Sequence, residues 1–311
     1  MHIFLTGVTG FIGSHIAVEL LRQGHRVVGL ARNKDKVPGL KNIERLEVVQ
    51  GALSDRDLLL RLVDGKDACI HVALDYTKKT GWEVLLDDTL PTAFLADAAA
   101  KAGVGHFLYT SSTAVNDSLY ESGIDHGDVA VDSVTAQTKQ RPATFYGATK
   151  AASENFLIAQ AYQTPMRLTI VRPGYTFGNP AVEGAPMQSD GRFAAIVAAA
   201  REGRPIALIK NDGTQFIWAG DLALLFARAL LNGTNRKTYF GLSSRFVSWE
   251  EIAKEAIRQC RSTSKLIVED RGWSGSGLLW DVSDMTRDFG LAFDPWKKIR
   301  EHIAYVLGIQ N

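Results

Sequence analysis

Three features of this 311-residue sequence predict an α/β fold, a doubly wound parallel sheet with a smaller C-terminal lobe. Short apolar, β-branched runs alternate with helix-length patterns through the first half, as βαβ units require. A glycine-rich turn, Gly7–Gly13, joins the first strand pattern to the first helix pattern. Beyond Arg172 the texture changes, with Pro173, Gly174, Gly178, Pro180, Gly184 and Pro186 interrupting the chain.

The elements follow in order. His2–Thr6 is an apolar strand. Phe11–Gly24 is a helix, with Ile12, Ile16, Leu20 and Leu21 at helical spacing and Gly24 as its stop. Arg26–Leu30 and Leu46–Gln50 are strands, and Asp57–Val63 is a short helix. Then come strand Ala68–Val72, the long helix Val84–Lys101 and strand His106–Thr110. A helix over Ala143–Tyr162 precedes the strand Arg167–Arg172. Later helices are expected at Phe193–Glu202, Asp221–Leu231, Trp249–Arg261 and Trp296–Leu307. Residues 1–172, with about 216–242 returning to the sheet, form one expected unit. About 173–215 and 243–311 form the smaller lobe.

Composition excludes several functions. Hydrophobic residues are 46% and charged residues 22%, as in an ordinary globular protein. Lys plus Arg number 35 against 34 Asp plus Glu, so no global field draws nucleic acid or an anionic membrane. Two cysteines, Cys69 and Cys260, make no disulfide scaffold and no CxxC site, and no His/Asp/Glu set has metal-ligand spacing. No charged leader and no membrane-length apolar run is read, so the expected setting is cytoplasmic. The expected partner is a small-molecule substrate. The Ala-rich stretches Phe94–Lys101 and Ala194–Ala200 are packing faces first and a subunit interface second, which leaves a homodimer open.

The turn is the first chemical signal. Gly7 allows the tight bend, Gly10 lets a pyrophosphate approach the backbone, and Gly13 lets the helix pack on the strand. The helix N-terminus then presents free N–H groups to an anion. The spacing is GxxGxxG, and Thr9, Phe11 and Ile12 lie within it. At the end of the second strand, where a carboxylate would hold a ribose 2′-hydroxyl, the sequence has Arg32, with Lys34 and Lys36 near it. A guanidinium suits a 2′-phosphate, so NADP(H) is favoured, with NAD(H) as the alternative.

Tyr146 and Lys150 stand one helical turn apart, so the ammonium lies beside the phenol and favours its ionised form. A hydroxyl cluster, Thr110–Thr113, ends the strand His106–Thr110, at the edge where ligands bind in parallel sheets.

Together these residues resemble the extended short-chain dehydrogenase/reductase family, the NAD-dependent epimerases and dehydratases. The resemblance rests on Thr6–Gly13, His71-Val72-Ala73, Tyr109–Val115, Tyr146–Lys150, Arg172-Pro173-Gly174, Phe216–Ala223 and Asp281–Leu291. It implies a Rossmann domain with a substrate-binding lobe. It implies that Tyr146 is the acid/base, that Lys150 binds the nicotinamide ribose, and that Ser112 is the catalytic hydroxyl. Leu53, Ala73 and Pro173 join the implied cofactor set. Ser111, Thr113, Tyr76, Phe177 and Arg192 are the substrate-side candidates, with Met187 and Trp218 as further pocket candidates.

Departures from the pattern narrow the reaction. Thr113-Ala114 stands where dehydratases carry an acidic pair, which disfavours that chemistry. Thr214-Gln215 stands where nucleotide-sugar epimerases often place a diphosphate-clamping Arg, with Arg192 as a candidate substitute. Val115-Asn116-Asp117 replaces the usual VYG run, Ala52 replaces an Asp, and Asp88 replaces an Asn. The expected function is an NADP(H)-dependent alcohol/carbonyl oxidoreductase. A sugar or nucleotide-sugar epimerase with the same triad is the alternative, and a cofactor-sensing protein without chemistry ranks third.

Overall fold

Seven parallel strands form the central sheet: β1 His2–Thr6, β2 Arg26–Ala31, β3 Leu46–Gln50, β4 Ala68–His71, β5 His106–Thr110, β6 Arg167–Pro173 and β7 Lys237–Gly241. Their spatial order is β7-β6-β5-β4-β1-β2-β3, so the order reverses between β1 and β4. The computed structural model describes residues 1–74, 80–120, 133–272 and 278–309.

The inner strands are apolar on both faces because helices cover both. Along β1, Ile3 and Leu5 face one side and Phe4 the other, all fully buried. The first side packs against α1 (Phe11–Arg22), α7 (Ala219–Asn232) and α9 (Ser283–Phe289) through Ile16, Leu20, Leu222, Phe226 and Met285. The second packs against α2 (Arg56–Val63), α4 (Leu90–Lys101) and α5 (Phe145–Gln163) through Leu59, Leu95 and Leu157. Each such buried side chain contributes about 1.5–3 kcal/mol by leaving water.

A third core lies outside the sheet. Helices α6 (Arg192–Arg201), α8 (Trp249–Cys260) and α10 (Trp296–Leu307) enclose Phe177, Phe193, Phe216 and Trp249. These rings meet mostly edge to face, with centroids 4.9–6.2 Å apart.

The helix predicted from Val84 starts earlier and is not uniform. The Thr80 hydroxyl accepts from the Glu83 N–H, and the Glu83 carboxylate accepts from the Thr80 N–H, starting α3 at Gly81–Val84. A π turn, Leu85–Thr89, then leads into α4. Pro91 has no N–H to give an α-helical partner, and the wider turn just before it brings Asp88 and Thr89 inward, 2% and 1% exposed.

Three buried histidines make stability pH-dependent. Burial pushes His71 down to about 3 and His106 and His302 down to about 4. Below pH 6.5 the unfolded chain takes up these protons and the folded chain does not, so stability is whole above that pH and falls as pH drops towards the folded values. By pH 5 each histidine is expected to cost about 2 kcal/mol. Urea midpoints at pH 7.5 and pH 5 check this, and equal midpoints would refute it.

Candidate active site

A cavity of about 1230 Å3 opens at the carboxyl ends of β1 and β4, where the strand order reverses. Ligands of doubly wound sheets bind at that place.

The floor is set by Thr6. Its hydroxyl accepts from the N–H groups of Val72 and Ala73, both at 3.0 Å. With both lone pairs used, it donates to His71 Nδ1 at 2.7 Å. His71 Nε2 therefore carries the hydrogen and donates to Thr92 Oγ1 at 2.8 Å. This chain ties β1 to β4 where both enter the cavity. Burial keeps His71 neutral, so it takes no part as a charged group.

The glycine turn above it has no room for side chains. Gly7 has φ +75°, and a Cβ there would lie 3.0 Å from Ala73. A Cβ on Gly13 would lie 2.1 Å from the Gly7 carbonyl oxygen. Gly7, Thr9, Gly10, Phe11, Ile12 and Gly13 all line the cavity, as do Leu53, Ala73 and Pro173. A cradle of bare backbone at a helix N-terminus fits a dinucleotide pyrophosphate. At the β2 end the wall is Ala31, Arg32, Asn33 and Lys36. Asp35, the nearby carboxylate, pairs instead with Lys41 at 2.8 Å.

Ser111, Ser112, Tyr146 and Lys150 line the same cavity at its other end. Lys150 is fully enclosed, donates to the Thr110 carbonyl at 3.1 Å and sits 5.0 Å above the Tyr109 ring. Burial pushes its pKa down, against the opposing fields of Asp88 and Glu154. The hydroxyls of Thr110 and Ser111 are buried without a hydrogen-bond partner among the described residues. Ser112 Oγ accepts from the Ala114 N–H at 3.1 Å, which leaves its proton to donate.

Asp117, from the divergent Val115-Asn116-Asp117 run, anchors the start of α5. Its carboxylate accepts from the Ala143 N–H and the Thr144 hydroxyl. Thr144 in turn caps the helix by accepting from the Gly147 N–H at 3.0 Å. A Cβ on Gly147 would lie 2.1 Å from the Ala114 carbonyl oxygen, so glycine lets α5 press on the loop carrying Ser112.

Several substrate-side candidates lie elsewhere. Phe177 is fully buried in the third core because α6 and α10 close over it, and it does not reach the cavity. Arg192 is held by Asp212 and lies over the Trp249 ring at 4.3 Å, away from the wall. Thr113 is buried beside the wall without lining it, and Trp218 packs on Phe177. Tyr76 lies outside the described residues. Met187 does line the cavity. Leu74, Leu86, Pro186 and Gln188 line it too, and no local motif marks them. Gln188 is fixed from both sides: its Oε1 accepts from the Gly178 N–H, and its Nε2 donates to His302 Nε2 at 2.9 Å. His15 donates from Nε2 to the Asn179 carbonyl at 3.0 Å. Among the described residues no cluster of metal-ligating side chains occurs, and no helix is long and apolar enough to cross a membrane.

Comparison with known proteins agrees with this fold. Residues 3–240 match the NAD dependent epimerase/dehydratase family. The chain is 31% identical over 187 residues to a 3 beta-hydroxysteroid dehydrogenase/Delta 5-->4-isomerase of Mycobacterium tuberculosis, covering 57% of this chain and 47% of that protein. It is 27% identical over 184 residues to a sterol-4-alpha-carboxylate 3-dehydrogenase, decarboxylating, of Dictyostelium discoideum, covering 57% and 54%. The chain thus matches about half the length of these relatives. In fold it is similar to the Bordetella bronchiseptica enzyme WbmH in complex with NAD+, with TM-score 0.78, 24% identity and coverage of 98% and 97%. It is also similar to a UDP-glucose 4-epimerase with UDP-glucose from Thermotoga maritima, with TM-score 0.81, 16% identity and coverage of 99% of each chain.

Proposed function

The chain belongs to the NAD-dependent epimerase/dehydratase family, and from that premise we propose that it is an NADP(H)-dependent alcohol/carbonyl oxidoreductase working through Ser112, Tyr146 and Lys150. One observation carries the reading: a single cavity has the bare glycine turn at one end and these three side chains at the other. Residues of about 173–215 and 243–311 act as the substrate-binding lobe, with Pro186, Met187 and Gln188 on its share of the wall.

The bound nicotinamide supplies or accepts the hydride. The chain does the rest. The backbone of Gly7–Gly13 holds the pyrophosphate. Ser112 donates to the substrate oxygen and fixes its position. Tyr146 gives that oxygen a proton, or takes one in the reverse direction. Lys150, held by Thr110, lends positive charge that favours phenolate. Leu74, Leu86, Pro186 and Met187 offer an apolar wall, suited to a substrate with an apolar body.

Epimerisation of a nucleotide sugar is the weaker reading. Gln215 is buried and consumed, donating to the carbonyls of Ser243 and Trp280 and accepting from the Trp280 N–H. It is no diphosphate clamp, and Arg192 is bound to Asp212.

Cofactor choice is the direct test. Arg32 and Lys36 on the cavity wall support a 2′-phosphate. Fluorescence titration is expected to show NADPH binding tighter than NADH. Arg32→Ser should weaken NADPH by about tenfold or more, the worth of a charge-assisted hydrogen bond, and leave NADH nearly unchanged. Equal or tighter NADH binding by the unaltered protein overturns the NADP(H) assignment.

A further inference from the structure

We propose that Asp88 is a positioning residue for the acid/base pair, its carboxylate the buried counter-charge to Lys150; this rests on Tyr146 and Lys150 working as proposed above. Asp88 stands on the π turn Leu85–Thr89, turned beneath the cavity rather than into it. Its Oδ2 accepts from Thr149 Oγ1 at 3.1 Å, and Thr149 lies between Tyr146 and Lys150 on α5. Its Oδ1 is buried with no partner among the described residues. A carboxylate held out of water with an unused oxygen is costly unless a cation faces it.

The other groups around Lys150 are accounted for. Glu154, one turn along α5, is committed to Arg172 through two hydrogen bonds of 2.8 and 2.7 Å. His71 on β4 is neutral between Thr6 and Thr92. Tyr109 on β5 is held in its neutral form by burial. Asp87 faces the cavity. Asp88 is the remaining carboxylate among these, and its field supports the Lys150 ammonium. An asparagine keeps the shape and the Thr149 hydrogen bond but not the charge. With aspartate there, Tyr146 meets a weaker positive field than a lone ammonium gives, and its phenol ionises at higher pH.

The test needs no substrate. Phenolate absorbance is titrated for the unaltered protein and for Asp88→Asn, and each curve is subtracted from its counterpart carrying Tyr146→Phe. The difference isolates Tyr146 in each background. Asp88→Asn is expected to move the Tyr146 step down by about one unit, the effect of removing a nearby like charge. The melting temperature should fall as well, because the buried Lys150 ammonium loses its counter-charge. If the Asn variant does not fold, Asp88→Ser, also uncharged, takes its place. A step that stays put or rises overturns the counter-charge. A Tyr146 step in the unaltered protein no lower than the ordinary tyrosine value of about 10 overturns the acid/base reading itself.

Discussion

Tyr146→Phe is expected to lower kcat for hydride transfer by about 10^2–10^4-fold, the usual worth of a positioned acid/base. That is roughly 2.7–5.5 kcal/mol of barrier. The ring and its packing stay, and only the proton-carrying oxygen goes. The start of α5 does not depend on that oxygen, because Thr144 and Asp117 hold it through the Gly147 and Ala143 N–H groups. The cofactor cradle does not depend on it either, because Gly7–Gly13 and the Thr6–His71 chain are built on β1 and β4. The loss should therefore fall on kcat, with NADPH affinity within about twofold, well under the 1.4 kcal/mol of a tenfold change. Steady-state NADPH oxidation and a binding titration on the same preparation separate the two. Unchanged turnover sinks the assignment of Tyr146, and a loss of turnover matched by lost NADPH binding would point to a structural role.

The reach of the sequence follows from where each signal's cause lies. The inner strands and the helices between them are legible because burial on both faces writes continuous apolar runs, as in Ile3–Leu5 and Phe107–Tyr109. The seventh strand, Lys237–Gly241, is harder to read. It is an edge strand with Lys237 only partly buried and paired to Asp284 and Asp288, and only Tyr239–Gly241 are fully buried. The glycine turn and the Tyr146–Lys150 spacing are local geometry, and both come to the cavity. The substrate side is not local. Whether Phe177 or Met187 meets the cavity depends on α6 and α10, more than a hundred residues away in the case of His302 and Gln188. Arg192 reads as a free cation until Asp212, 20 positions on, comes within reach. Asp88 shows as a departure in sequence, but its inward turn depends on the π geometry ahead of Pro91.

Glu154→Ala is expected to destabilise the fold by about 3–5 kcal/mol, the cost of stranding one partner of a buried ion pair. The side chains of Arg172 and Glu154 are 4% and 1% exposed, and the guanidinium meets the carboxylate through two parallel hydrogen bonds. Gln140 Nε2 donates to the same carboxylate at 2.6 Å, and Asn155 holds Gln140 at 3.0 Å. With Glu154 gone, the Arg172 cation remains 5.9 Å from the Phe240 ring with one long contact, 3.5 Å, to the Ala136 carbonyl. Water cannot readily replace the lost carboxylate. Replacing both partners, Glu154→Leu with Arg172→Met, should recover much of the loss, because no buried charge is then left unpaired. Urea unfolding of Glu154→Leu, Arg172→Met and the double variant measures this as a coupling energy. A Glu154→Ala cost below about 1 kcal/mol, the range of an exposed pair, would sink the argument. Position gives the pair a second effect. Glu154 is one turn beyond Lys150, and Arg172 immediately precedes Pro173 on the cavity wall. The pair thus clamps α5 to β6 beside the proposed nicotinamide end. The double variant should regain stability yet bind NADPH more weakly than the unaltered protein, since apolar side chains fill the space without fixing the register of α5 on the sheet.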